Sequence, residues 1–220
     1  MQLQVAFDRL TLDDAIHIAR QVQPHADWIE VGTSLIKEFG MASVRQLRQA
    51  VQKAQLLADM KTIDNARYEF DLCFAAGADA ATVMGAAPDA TIATCVQLAQ
   101  EQGKQVMIDL LNTSEQRQQA LLTYDGAIAG IHVSKDVQES GQAAGQNKSA
   151  IAARLPDWAA NRPVSIAGGI RLNDIPALAA QAPDAILIVG SAITQADDPA
   201  ETARAFATAI ASQQFIKGKV

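Results

Sequence analysis

Basic clusters, long apolar runs and paired cysteines are all scarce in this chain, and each scarcity removes a class of function. Lys and Arg number 18 against 24 Asp and Glu, a net charge of −6 over 220 residues. No Lys/Arg cluster stands out, which argues against a nucleic-acid partner or an anionic membrane surface. No uncharged apolar run reaches the ~18 residues of a membrane span. No basic region precedes an apolar segment at the N-terminus, so neither a membrane nor a secretory route is expected. The two cysteines, Cys73 and Cys95, sit in helix-like segments without CxxC spacing, the pattern of buried thiols in a reducing compartment. A cytoplasmic protein handling small molecules is the expectation.

What the chain does have is apolar mass, 49% of its residues, distributed in short runs. These are LQVAF (3–7), WIEV (28–31), LLAD (56–59), AATV (80–83), QVMID (105–109), AIAGIHV (127–133), PVSIA (163–167) and AILIVG (185–190). Continuous apolar runs without strict alternation predict strands covered on the outside by helices, as in a parallel sheet. The intervening segments carry helix starts: Thr11 with Asp14 resembles a capping box, Asp89 precedes an apolar-periodic stretch, and Asp198-Pro199 pairs a cap with a first-turn proline. Gly77 and Gly103 mark stops. The phrases HADWIEVG (25–32), GADAATVMG (77–85) and APDAILIVG (182–190) repeat one helix-exit-then-strand pattern. Eight βα units of about 27 residues each predict a (β/α)8 barrel with eight parallel strands. A single domain over 1–220 is expected, since no Pro/Gly/Ser linker divides the chain. A doubly wound sheet would place a glycine fingerprint after the first strand, where FDRLT stands instead.

In such a barrel the C-terminal strand ends converge on one mouth. Asp8, Glu30, Asp59 with Lys61, Asp109 and His132 stand at the ends of strands 1, 2, 3, 5 and 6, with Gly168-Gly169 and Gly190-Ser191 after strands 7 and 8. Within a strand, residues two apart share a face, so Asp59 and Lys61 either form a salt bridge or do chemistry together. Gathered carboxylates repel and demand a cation. Lys61 serves one or two of them, and a divalent ion held by Glu30 and Asp59 accounts for the rest; oxygen ligands favour Mg²⁺ or Mn²⁺ over zinc. The glycine pairs are either tight turns or a phosphate cradle of backbone N–H groups, and their joint position favours phosphate. His132 stands where a group titrating near neutrality can move a proton, unlike His17 and His25, which read as surface or structural. Lys135 and Asp136 read equally as a solvated pair or as substrate ligands.

VAFD (5–8), IEVGTSLI (29–36), LADMKTID (57–64), TVMGAAPDATI (82–92), IDLL (108–111), IHVSKD (131–136), VSIAGGI (164–170) and ILIVGSAIT (186–194) together resemble 3-hexulose-6-phosphate synthase, of the orotidine-monophosphate-decarboxylase suprafamily. The resemblance spans almost the whole chain, and Asp-x-Lys-x-x-Asp (59, 61, 64) is its most specific motif. It implies an Mg²⁺-assisted aldol reaction joining D-ribulose 5-phosphate and formaldehyde into D-arabino-hex-3-ulose 6-phosphate, and the reverse. Glu30 and Asp59 would bind the metal and Lys61 would support the enediolate oxygens. Asp8 and Asp109 would orient substrate hydroxyls or Lys61, His132 would move the proton, and Gly168, Gly169, Gly190, Ser191 and Lys135 would serve substrate and phosphate. The resemblance also implies a homodimer in which Asp64 reaches the neighbour's site.

The sister family, 3-keto-L-gulonate-6-phosphate decarboxylase, resembles the chain in the same motif and in His-x-Ser-basic-Asp (132–136), where it carries arginine against Lys135. Ala167, Asp109, Met84-Gly85 and Thr194 depart from its pattern and favour the synthase. A barrel that binds a sugar phosphate without catalysis is the third reading. Two departures touch the synthase pattern itself: Asn65-Ala66 replaces Ala-Gly after the motif, and an insertion of about four residues lies between Asp136 and Gln142.

Overall fold

The computed structural model describes residues 1–139 and 155–217. Eight strands close into a barrel in sequence order, each parallel to the next and β8 to β1. They are β1 (Gln2–Phe7), β2 (Trp28–Val31), β3 (Gln55–Thr62), β4 (Ala80–Met84), β5 (Gln105–Asp109), β6 (Ile128–His132), β7 (Val164–Ala167) and β8 (Ile186–Val189). Helices α1 (Leu12–Val22), α2 (Thr33–Phe39), α3 (Met41–Ala50), α4 (Ala66–Ala75), α5 (Asp89–Glu101), α6 (Glu115–Leu121), α7 (Lys135–Glu139), α8 (Ile175–Gln181), α9 (Ser191–Thr194) and α10 (Pro199–Lys217) connect and flank them. Every predicted apolar run is a strand. Among the described residues no helix is long and apolar enough to cross a membrane.

Local chemistry sets the helix ends. Thr11 accepts the Asp14 N–H, Ser114 the Arg117 N–H and Asp198 the Glu201 N–H, each satisfying an orphan donor of a first turn. Gly77 and Gly103, with φ of 101° and 63°, end α4 and α5 in backbone that other residues adopt only with strain. The expectation of one helix per strand is too simple after β2 and β8. Gly40, at φ 59°, turns the chain between α2 and α3, and a short α9 precedes α10.

Alternation within the strands divides the core in two. Phe7, Ile29, Leu56, Val83, Ile108, Ile166 and Leu187 face the helices in the larger apolar cluster. Trp28, Leu57, Ala80, Met107, Ile128 and Ile186 form a separate apolar cluster inside the barrel. Burying a side chain of this size contributes roughly 1.5–3 kcal/mol, so both layers hold the barrel closed and leave its mouth available for polar groups.

Candidate active site

Strand β3 explains how the mouth acquires its charge. Ala58 pairs with Ala81 and Thr62 with Val83, so Asp59, Met60 and Lys61 stand opposite the single residue Thr82. The strand runs three residues past the predicted exit, through a bulge in which Lys61 takes a left-handed φ of 52°. Plain alternation was expected to bring Asp59 and Lys61 onto one face; the bulge does so instead, at the cost of a backbone conformation uncommon outside glycine.

Lys61 Nζ lies 2.8 Å from Asp109 Oδ2 and 3.1 Å from Asp59 Oδ2, bridging β3 to β5. Burial opposes its charge, but Asp59 and Asp109 outweigh that and hold its pKa above the usual ammonium range. Asp109 is buried, which alone would raise its carboxyl. The His132 hydrogen bond and the Lys61 charge prevail, keeping it well below the usual carboxylate range. Its other oxygen accepts the Leu111 N–H at 2.9 Å. His132 Nδ1 stands 3.2 Å from Asp109 Oδ2, which fixes the ring; among the described residues Nε2 has no partner.

Both oxygens of Asp59 accept hydrogen bonds: Oδ1 from Lys61 at 3.2 Å and Thr82 at 2.8 Å, and Oδ2 from Thr33 at 2.5 Å. Glu30 is less fully engaged. Its Oε2 accepts from Gln4 Nε2 at 2.5 Å, while its Oε1 accepts no hydrogen bond among the described residues. Burial first, then the charges of Asp59 and Asp8, push its carboxyl up to about 8. Gln4 is fully buried, and its Oε1 has no partner among the described residues. Three carboxylates near one ammonium, with an open glutamate oxygen and an orphaned amide oxygen beside it, fit a hard divalent cation. Among the described residues no group of three or more His, Cys, Asp or Glu is arranged to hold an ion. The pair Glu30 and Asp59 matches the habit of Mg²⁺, which takes one or two carboxylates and completes its shell with water or substrate.

Asp8 stands at the rim and accepts two bonds from Ser34, 3.0 Å from its N–H and 2.7 Å from its hydroxyl. Gly32 permits this approach: a Cβ there would lie 2.3 Å from both Asp8 Cγ and the Phe7 carbonyl. Asp64 is exposed; among the described residues it accepts only the Asn65 N–H next to it and does not join the cluster within its own chain. Asn65, at φ 59°, caps α4 in left-handed backbone. Lys135 is exposed, 3.7 Å from Glu139, which also pairs with Arg9 at 2.8 Å. Gly168 and Gly169 have φ of 127° and 70°, so that turn requires glycine by itself. Gly190 has no such backbone requirement, and a Cβ there would meet only the Ala6 carbonyl, at 3.6 Å. Ser191 is exposed at the start of α9. Of the predicted insertion between Asp136 and Gln142, residues 137–139 lie in α7, and 140–141 fall outside the described residues.

Gln4, Thr33, Ser34 and Thr82 are the site's contributors that motif reading passed over. Gln4 and Thr82 had a signal: each is a polar side chain inside an apolar strand, which must find a partner when buried.

Residues 1–206 match the model of the orotidine 5'-phosphate decarboxylase / HUMPS family. The chain belongs to this family. It is 34% identical over 205 residues to the 3-hexulose-6-phosphate synthase of Bacillus subtilis (strain 168), covering 92% of this chain and 95% of that one. The crystal structure of 3-hexulose-6-phosphate synthase from Salmonella typhimurium superposes with a TM-score of 0.84 at 32% identity, over 97% of this chain and all of the other. That of 3-keto-L-gulonate-6-phosphate decarboxylase from Vibrio cholerae gives 0.81 at 32%, over 96% and 97%. With relatives of this kind the chain is a lyase-type enzyme.

Proposed function

We propose that the chain is an Mg²⁺-dependent 3-hexulose-6-phosphate synthase, interconverting D-ribulose 5-phosphate plus formaldehyde and D-arabino-hex-3-ulose 6-phosphate. The observation that carries this is the Lys61 ammonium, fixed between Asp59 and Asp109 with His132 on the same Asp109 oxygen. Loss of a proton from C1 of the ketose gives an enediolate, and its C1 then bonds to the formaldehyde carbon. A cation held in place beforehand lowers the cost of the developing charge without reorganisation. His132, oriented by Asp109, takes the C1 proton and returns it to the formaldehyde oxygen. Asp8 orients substrate hydroxyls at the rim, and the backbone around Gly168, Gly169, Gly190 and Ser191, with Lys135, receives the phosphate. Glu30 and Asp59 would hold the Mg²⁺, which when bound supplies a second positive centre for the substrate's oxygens. Mn²⁺ offers the same charge to the same ligands.

Support for the synthase over its sister comes from Asp109, Ala167, Met84-Gly85 and Thr194, each a departure from the decarboxylase pattern. A homodimer completes the proposal, with Asp64 reaching the partner's mouth. Ile63 and Tyr68, beside Asp64, are 52% and 61% exposed, an apolar surface of the kind that dimers cover. Cytoplasmic residence fits two free, buried cysteines and a small phosphorylated substrate. The test is to supply ribulose 5-phosphate, formaldehyde and Mg²⁺ in one reaction and 3-keto-L-gulonate 6-phosphate in another. Formaldehyde loss in the first supports the proposal. CO₂ release in the second alone transfers it to the decarboxylase, and neither reaction leaves a binding protein.

A further inference from the structure

Three residues of β3 face one residue of β4, and that residue makes hydrogen bonds on both sides of the bulge. Thr82, only 3% exposed, accepts the Lys61 backbone N–H at 2.8 Å and donates its own hydroxyl proton to Asp59 Oδ1 at 2.8 Å. The first bond substitutes for the ladder bond that the bulge removes. It also fixes the residue whose φ of 52° is otherwise unfavourable. The second holds the carboxylate against which the Lys61 ammonium rests. A threonine hydroxyl has one proton and two lone pairs, so it can serve both neighbours at once, whereas valine of the same shape serves neither.

We infer that Thr82 is a positioning residue for the reaction: it orders the Asp59–Met60–Lys61 bulge and thereby sets where the Lys61 ammonium and the Asp59 carboxylate stand. Thr82 does not touch substrate; it acts through Lys61 and Asp59. This rests on the proposed synthase reaction for its kinetic readout and on geometry alone for its structural one.

The experiment compares Thr82→Val, Thr82→Ala and Thr82→Ser with the wild-type chain by amide hydrogen exchange and by steady-state kinetics with ribulose 5-phosphate, formaldehyde and Mg²⁺. The valine and alanine variants should lose exchange protection at the Lys61 amide. Their kcat should fall about 10²-fold, the cost of a catalytic group displaced by about 1 Å, with little change in KM. The serine variant should restore both, because it keeps the hydroxyl. A serine variant as impaired as valine would assign the effect to methyl packing and overturn the inference. So would valine and alanine variants that keep both Lys61 protection and kcat. An inactive wild-type chain whose Lys61 amide is still deprotected in valine and alanine and protected in serine would refute the synthase reading alone. Failure of the exchange pattern in an active enzyme would refute the role of Thr82 alone.

Discussion

Replacing Glu30 by glutamine should make the ion-free chain more stable in alkaline solution while removing a ligand of the proposed divalent-ion site. Glutamine has nearly the same shape and carries no charge, so the variant isolates the electrostatic contribution. Burial, and then Asp59 and Asp8, raise the Glu30 carboxyl from 4.5 to about 8. Between those values the folded chain keeps a proton that the unfolded chain releases, so this group's stabilising contribution is complete below pH 4.5 and is lost as pH rises through 8. At 1.36 kcal/mol per unit the interval amounts to about 5 kcal/mol, and entry of water at the mouth reduces it to about 2–4 kcal/mol. Urea unfolding in excess chelator at pH 5 and pH 9 measures it. The advantage of the variant over wild type should widen by that amount at the higher pH. Parallel stabilities at the two pH values would refute the reasoning, because Glu30 would then be ordinarily solvated. Adding Mg²⁺ at 100 times its dissociation constant should stabilise wild type by about 2.7 kcal/mol and leave the variant unchanged.

Asp59→Ala should abolish turnover while far-UV circular dichroism stays that of the wild-type barrel, since Asp59 bonds to Thr33, Lys61 and Thr82 at the mouth and belongs to neither apolar cluster. Lys61→Met should lower kcat by about 10²–10³-fold, the usual loss when a charge-stabilising donor is removed, as steady-state kinetics will show. Cys73 and Cys95 are fully buried, and burial first, with the Glu69 charge beside them, pushes both thiols up to about 12. Neither should react with a thiol reagent at pH 8 until denaturant unfolds the chain. Tyr68→Glu should shift the sedimentation coefficient from dimer to monomer and lower activity along with it.

The barrel was legible because its signal repeats: LQVAF, WIEV, QVMID and their counterparts are short, predominantly apolar runs, and segments with helix start signals stand between several of them. Asp59, Lys61, Asp109 and His132 were legible as charges ending apolar runs, which the barrel's geometry brings to one mouth. The β3 bulge was not. Its cause lies in the pairing of Thr62 with Val83, a relation between strands that the run LLAD does not contain. Gln4 and Thr82 escaped for the same reason, since a polar residue in an apolar run announces a need for a partner without naming it. Gly40 was not singled out either: eight βα units imply one helix per strand, and its positive φ turns the chain between α2 and α3 instead. Asp64 stands apart from the cluster in its own chain.

An aldol reaction at this mouth transfers one carbon, and that carbon reports it most directly. Incubation with ¹³C-formaldehyde, ribulose 5-phosphate and Mg²⁺, followed by carbon NMR, should show the label at C1 of a new hex-3-ulose 6-phosphate. Label that remains in formaldehyde hydrate, with the ribulose 5-phosphate unconsumed, would contradict it.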